Sequence, residues 1–174
     1  LRAMVGFGEK TESSKSGRIE SLGLTYKQGA IESSLVYHLR RCDAASSCRD
    51  DQVFGLGANY TFAGNVRVGA IATQQKNALN VAGNDANTYA VLALVPVRQW
   101  TLMASFQKLD DKSARDQDIN QLNLGVKFAL SKRTELYSLF SKQKVGNGGK
   151  AGMFSKTSSN GKQNQFNVGV RHAF

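Results

Sequence analysis

Proline is nearly absent, with Pro96 the one residue of its kind in 174. The chain therefore lacks the punctuation that ends helices and interrupts ladders. Long hydrophobic runs are missing too. The longest is Tyr89 to Val97, which contains that proline, and it falls far short of the ~20 residues a membrane helix needs. A transmembrane helix is excluded, but a membrane is not: a barrel strand crosses with about 9–11 residues, and only every second one meets lipid. Histidine is scarce as well. His38 and His172 lie far apart, without the acidic and nucleophilic neighbours of a hydrolytic site. The glycine-rich run Gly146 to Lys150 lacks the strand–loop–helix context of a phosphate loop and reads as a flexible surface loop. No enzymatic constellation and no cofactor site are expected.

Cysteine is limited to Cys42 and Cys48, both in a short polar loop. No further Cys and no nearby His pair completes a metal ligand set. A close pair in a loop reads as a local disulfide in an oxidising compartment, with two free thiols as the alternative. Acidic residues are outnumbered: 13 against 23 Lys and Arg, for a net charge of +10. Such a balance often means nucleic acid. Here the cations are scattered over strand ends and loops, and no zinc-finger, helix-turn-helix or RNA-binding signature accompanies them, so no nucleic-acid partner is expected. The start, Leu1-Arg-Ala-Met, carries no basic segment, apolar segment and cleavage site of a leader. Ala3 to Gly8 already has strand character, and the sequence is expected to lack its N-terminal portion.

What is present is period-two alternation, segment after segment. Phe54, Leu56, Ala58, Tyr60 and Phe62 alternate with Val53, Gly55, Gly57, Asn59 and Thr61. Trp100, Leu102, Ala104 and Phe106 form a second such set, Leu122 to Phe128 a third, and Phe166, Val168, Val170, His172 and Phe174 a last one. The other parity carries Gly, Ser, Thr, Asn, Gln and basic residues. The pattern predicts about ten strands, near 1–9, 18–27, 30–40, 52–62, 65–76, 86–95, 99–109, 118–128, 133–144 and 163–174, in one domain spanning 1–174.

Connection lengths then separate two all-β architectures. Short links at 27–30, 63–65, 96–98 and 129–132 alternate with long ones at 9–17, 41–51, 77–85, 110–117 and 145–162. All long loops thus fall on one side of the sheet. An up-and-down transmembrane barrel has that arrangement, with short periplasmic turns and long extracellular loops; a Greek-key sandwich does not keep it. The single proline is placed at a turn. Strands of 10–12 residues match a tilted crossing of a hydrocarbon layer. Tyr60, Phe62, Trp100, Phe128, Tyr137 and Phe174 cluster towards the short-turn side, where interfacial aromatic girdles form. The expected class is an all-β, antiparallel barrel in the bacterial outer membrane.

The closing segment Phe166-Asn-Val-Gly-Val-Arg-His-Ala-Phe174 resembles the end of Gram-negative trimeric porins of the β-proteobacterial type. Phe128-Ala-Leu-Ser-Lys-Arg-Thr-Glu-Leu-Tyr137 is similar to that family's last periplasmic turn. The resemblance implies a general diffusion porin, a sixteen-stranded homotrimer of which about ten strands are present here. It also implies that the absent part holds the loop folded into the lumen, so no constriction residue is assigned. Phe174 then stands where the family's terminal Phe is read by the barrel-assembly machinery. Outer-membrane lipid and small ions and solutes are the other expected partners.

If the apolar parity faces lipid, the other parity lines the lumen. Lys27, Glu32, His38, Arg40, Arg67, Lys127 and Arg171 are the candidate pore-lining residues, with Arg98 and Arg133 near the periplasmic mouth. The orientations of Glu135 and Tyr137 stay open. Five Lys or Arg against one carboxylate points to a pore wall that favours anions; the alternative is that these charges only serve solubility and strand-end pairing. Two rivals remain: a soluble β-sandwich binding module of lectin-like type, and an outer-membrane barrel with an adhesive or enzymatic role.

Overall fold

The structure is a computed structural model that describes residues 1–8, 18–42, 48–153, 156–158 and 160–174. The expected loop at 9–17 and the middle of the cysteine loop lie outside the described residues. Ten long strands follow one another: β1 (Arg2–Gly8), β2 (Ile19–Gln28), β3 (Ile31–Arg40), β4 (Asp51–Thr61), β5 (Arg67–Lys76), β6 (Ala86–Val97), β7 (Trp100–Asp111), β8 (Ile119–Ala129), β9 (Thr134–Val145) and, after a two-stranded insertion of β10 (Gly152–Met153) and β11 (Lys156–Thr157), β12 (Lys162–His172). The ten form one sheet in the order β1-β2-β3-β4-β5-β6-β7-β8-β9-β12, each antiparallel to its neighbours. Every step is a hairpin to the adjacent strand, the meander of an up-and-down barrel wall.

A single layer has no second sheet to pack against, and this overturns the sandwich. The buried apolar residues among those described are Leu39, Val145, Ala151 and Met153, all at the long-loop end, whereas Phe54, Leu56, Val91, Leu102, Leu124 and Val168 are exposed. In water an apolar face of this extent would aggregate; in lipid it is solvated. No helix is long and apolar enough to cross a membrane among the described residues. β1 and β12 stand at the ends of the strand order, with no pairing between them among the described residues. Their outer ladders are unsatisfied, a condition that hydrocarbon does not tolerate.

The short links are tight for identifiable reasons. Gly29 turns β2 into β3 at φ 55°, and Gly64 and Asn65 turn β4 into β5 at φ 72° and 61°. These are left-handed values that Gly and Asn tolerate best. Pro96 is not in a turn but inside β6, opposite Thr101. It fits because the ladder between β5 and β6 ends at Leu94, so the missing N–H falls where no partner strand remains. The turn itself is Arg98-Gln99, with Arg98 at φ 56°.

Long-loop ends are tied by polar contacts. Cys42 and Cys48 are joined in a disulfide with Cα atoms 6.0 Å apart. Lys112 donates to Asp110 at 2.8 Å, and that carboxylate holds the ammonium above the ordinary lysine range.

Candidate pore wall

Cross-strand partners share a face, so the register sorts every side chain. Leu56 pairs with Leu35 and Ala72, Leu35 with Leu24, and Leu24 with Ala3. Continuing the other way, Tyr89 stands beside Ala72, Lys108 beside Tyr89, and Phe106, Leu122, Phe140 and Phe166 belong to the same outward set. The opposite face holds Thr25, Ser34, Asn59, Thr73, Ser105, Asn123, Gln121, Ser141, Gln143 and Gln165, with the glycines Gly55, Gly57, Gly69, Gly125 and Gly169 between them.

Lys27, Glu32, His38, Arg40, Arg67, Lys127 and Arg171 all fall on this polar face. So do Arg2, Asp51, Asp111, Glu135 and Tyr137, which the sequence reading did not count there. The five-to-one charge ratio becomes six cations to four carboxylates. Tyr137 is not part of the outward aromatic girdle: it stands opposite Lys127 and lies across Gly169, where an added Cβ would run into the ring. Tyr60, Phe62 and Trp100 are exposed on the outward face, and Trp100 stacks obliquely on Phe128 at 4.5 Å.

The charges are unevenly distributed along the strands. Arg2, Lys27, Arg67, Lys127 and Arg171 lie towards the short-turn end, against Glu32 and Glu135. Glu135 accepts from Lys127 at 3.4 Å and pairs with Arg171 at 3.6 Å. Lys27 is directly opposite Glu32 in register, yet Arg2, Lys27 and Arg67 make no ion pair among the described residues. At the long-loop end Arg40 is neutralised by Asp51 at 2.9 Å. Positive charge on this face that no carboxylate neutralises among the described residues therefore sits in the short-turn half.

An apolar island interrupts the polar face. Ile71, Leu92, Leu94, Met103 and Leu139 line a cavity of about 350 Å³ above Gly125. The parity of Leu92 and Leu94 is not legible in the sequence, because β6 is apolar on both faces. Beside the island an amide ladder runs from Ser105 through Asn123 and Gln121 to Gln143, with links of 3.1, 2.9 and 3.0 Å.

The last long loop departs from the expectation of a free surface loop. Gly152 N–H donates to Gln143 at 2.8 Å and Met153 N–H to Gln163 at 3.0 Å. Both glutamines are on the polar face, so β10 is drawn inward over it. Ser141, Gln143, Ala151 and Met153 become buried in consequence. Asn147 anchors the same loop to the β7–β8 loop through Asp116. A glycine-rich segment has few side chains to keep it outside, and two amide acceptors are enough to hold it in; nothing in the local sequence marks these glutamines as its partners.

Among the described residues no group of His, Cys, Asp and Glu could hold a metal ion. His38 Nδ1 and Ser21 Oγ share a hydrogen bond of 2.7 Å. His172 does the same with Thr134 at 2.9 Å on the outward face.

Comparison with known proteins places this geometry. Residues 1–148 match the family described as Gram-negative porin. The chain is 27% identical to outer membrane porin protein 32 of Delftia acidovorans, across 97% of this chain and 52% of that protein; it thus spans about half the length of that relative. Among solved structures it is similar to an anion-selective porin from Comamonas acidovorans, with a TM-score of 0.86 at 24% identity, covering 99% of this chain and 55% of the other. OmpT of Vibrio cholerae, solved in a trimer form, superposes with a TM-score of 0.72 at 16% identity, over 98% of this chain and 60% of its own. Single-layer meander, apolar outer face and polar inner face are the wall of an outer-membrane β-barrel, and the chain belongs to the Gram-negative porin family.

Proposed function

We propose that this chain forms part of the wall of a water-filled channel through which small hydrophilic solutes and ions diffuse passively, with a preference for anions. The observation that carries the reading is the sorting of one sheet into an apolar outward face and a polar, net cationic inward face. Fixed cations along a narrow aqueous path raise the local anion concentration. Lys27, Arg67, Lys127 and Arg171, with Arg2, supply that charge in the short-turn half, while Glu32 and Glu135 temper it and Arg40 is largely spent on Asp51. The similar porin from Comamonas acidovorans is described as anion-selective, which supports the sign.

The two unsatisfied sheet edges support completion by further strands into a larger barrel, and the trimer form of OmpT supports a homotrimer. No catalytic step is assigned to the polar face. Phe174 is fully exposed beyond β12 with its ring edge-on to His172 at 4.9 Å, which supports its reading as the signal for the assembly machinery. An adhesive barrel is less well supported, since β10 of the last long loop is held inward on Gln143 and Gln163.

The test is conductance of the full-length protein in a planar bilayer under a salt gradient. Stepwise openings with a reversal potential of anionic sign are expected. A folded, β-rich protein without openings would overturn the channel reading, and a cationic reversal potential would overturn the anion preference.

A further inference from the structure

The outward face changes character at its long-loop end. In the last two strands, directly paired residues run outward from Phe140–Phe166 through Lys142–Asn164 to Lys144–Lys162. The row through Lys144 continues across β8 at Asn120 to Lys108 on β7. Lys108, Lys144 and Lys162 thus face the same way in one row, with Lys142 one outward step nearer the pair of phenylalanines.

Their partners are few. Lys108 lies 3.7 Å from Asp118, but Lys142, Lys144 and Lys162 make no ion pair among the described residues and are exposed. Lys144 and Lys162 are directly opposite each other, an arrangement of like charges that weakens a ladder unless an anion lies between them. A shallow cavity of about 270 Å³, lined by Lys144, Val145, Asn160, Gly161 and Lys162, opens at that pair. β10 does not cover the outward side, because it is held to Gln143 and Gln163 on the other face.

We propose that Lys142, Lys144 and Lys162 form an outward-facing site for the phosphate of an outer-leaflet lipid headgroup. Long loops mark the extracellular end. An ammonium just beyond Phe140 and Phe166 sits at the boundary between acyl chains and headgroups, where lysine stems lie along apolar surface and their charges meet lipid phosphates. The phosphate relieves the Lys144–Lys162 repulsion, and the acyl chains of the same molecule cover Phe140 and Phe166. A free anion would do only the first. This inference rests on the membrane placement of the face and is independent of conduction.

The experiment is native mass spectrometry of the full-length protein in detergent, titrated with doubly phosphorylated lipid A, with the same lipid after enzymatic dephosphorylation, and with inorganic phosphate. The wild type is expected to retain the phosphorylated lipid. The triple variant K142Q/K144Q/K162Q, checked for folding by heat-modifiable gel migration, should bind it about a hundredfold more weakly, as loss of roughly 1 kcal/mol for each of three surface lysines implies. K142R/K144R/K162R should retain it, and K132Q, at a short turn, should behave as wild type. Equal retention of the dephosphorylated lipid, no loss in the Gln variant, or displacement by equimolar inorganic phosphate would overturn the proposal. The Arg variant and the dephosphorylated lipid keep the test decisive if the Gln variant does not fold.

Discussion

Arg40 Nη2 lies 2.9 Å from Asp51 Oδ2, directly across the β3–β4 ladder at the base of the cysteine loop. Asp51 also accepts from Gln75 Nε2 at 3.0 Å and from the Leu79 N–H at 3.1 Å, so one carboxylate ties β3, β5 and the β5–β6 loop together.

Replacing Asp51 by Ala leaves Arg40, the Gln75 amide and the Leu79 N–H without an acceptor. Loss of about 2 kcal/mol of stability is expected, the scale of a partly buried charged hydrogen-bond centre. Urea unfolding of the refolded protein measures it, with hydrogen exchange at Leu79 rising first. An unchanged unfolding midpoint would show that the carboxylate is dispensable.

Glu135 holds two of the cations of the short-turn half, Lys127 and Arg171. Glu135→Gln frees both and should raise the anion-to-cation permeability ratio about twofold, the effect of one charge a few ångströms from an ion in a water-like, salt-screened path. Arg67→Glu should move the reversal potential the opposite way. Both are read from bilayer recordings in the same salt gradient.

The contact of Tyr137 with Gly169 makes a steric prediction. Gly169→Ala forces the ring off the β12 backbone and should cost about 1 kcal/mol, a typical overpacking penalty. The double variant with Tyr137→Ala should show no additional cost from the Ala at 169. Equal penalties with and without the ring would refute the contact.

Release of the inward loop is testable through its two acceptors. Gln143→Ala with Gln163→Ala removes the bonds to Gly152 and Met153. At about 1 kcal/mol per bond the open population should grow roughly fivefold for each. Larger or noisier single-channel conductance and faster amide exchange at Gly152 and Met153 are expected. Identical traces would place the loop clear of the ion path.

Phe174→Ser should lower the amount of folded protein reaching the membrane in cells severalfold while leaving detergent refolding and conductance intact. Equal loss in both settings would mean that the ring serves stability and not recognition.

How much of this was legible in the sequence follows from the periods involved. Alternation over 53–62 and 99–109 fixes which residues share a face, because successive side chains in a strand point oppositely. Alternating link lengths fix the meander and the side on which the loops lie. Strands, links, apolar face and the seven polar-face candidates all follow from these two local regularities. β6 and β9 did not yield, because β6 is apolar on both faces and β9 mixes polar and aromatic residues at both parities; only their partners' register placed Leu92, Glu135 and Tyr137. Pro96 was misplaced for a similar reason: its tolerance inside β6 depends on where the neighbouring ladder stops.

The sequence by itself thus determined the architecture and the identity of the two faces, since both rest on a two-residue period and on turn-forming residues. Tertiary structure alone decided which charges neutralise one another, that β10 lies inward on Gln143 and Gln163, and that Lys142, Lys144 and Lys162 meet on the outside. Those relationships join residues whose distance is set by strand pairing, and pairing between strands is not a local property of the chain.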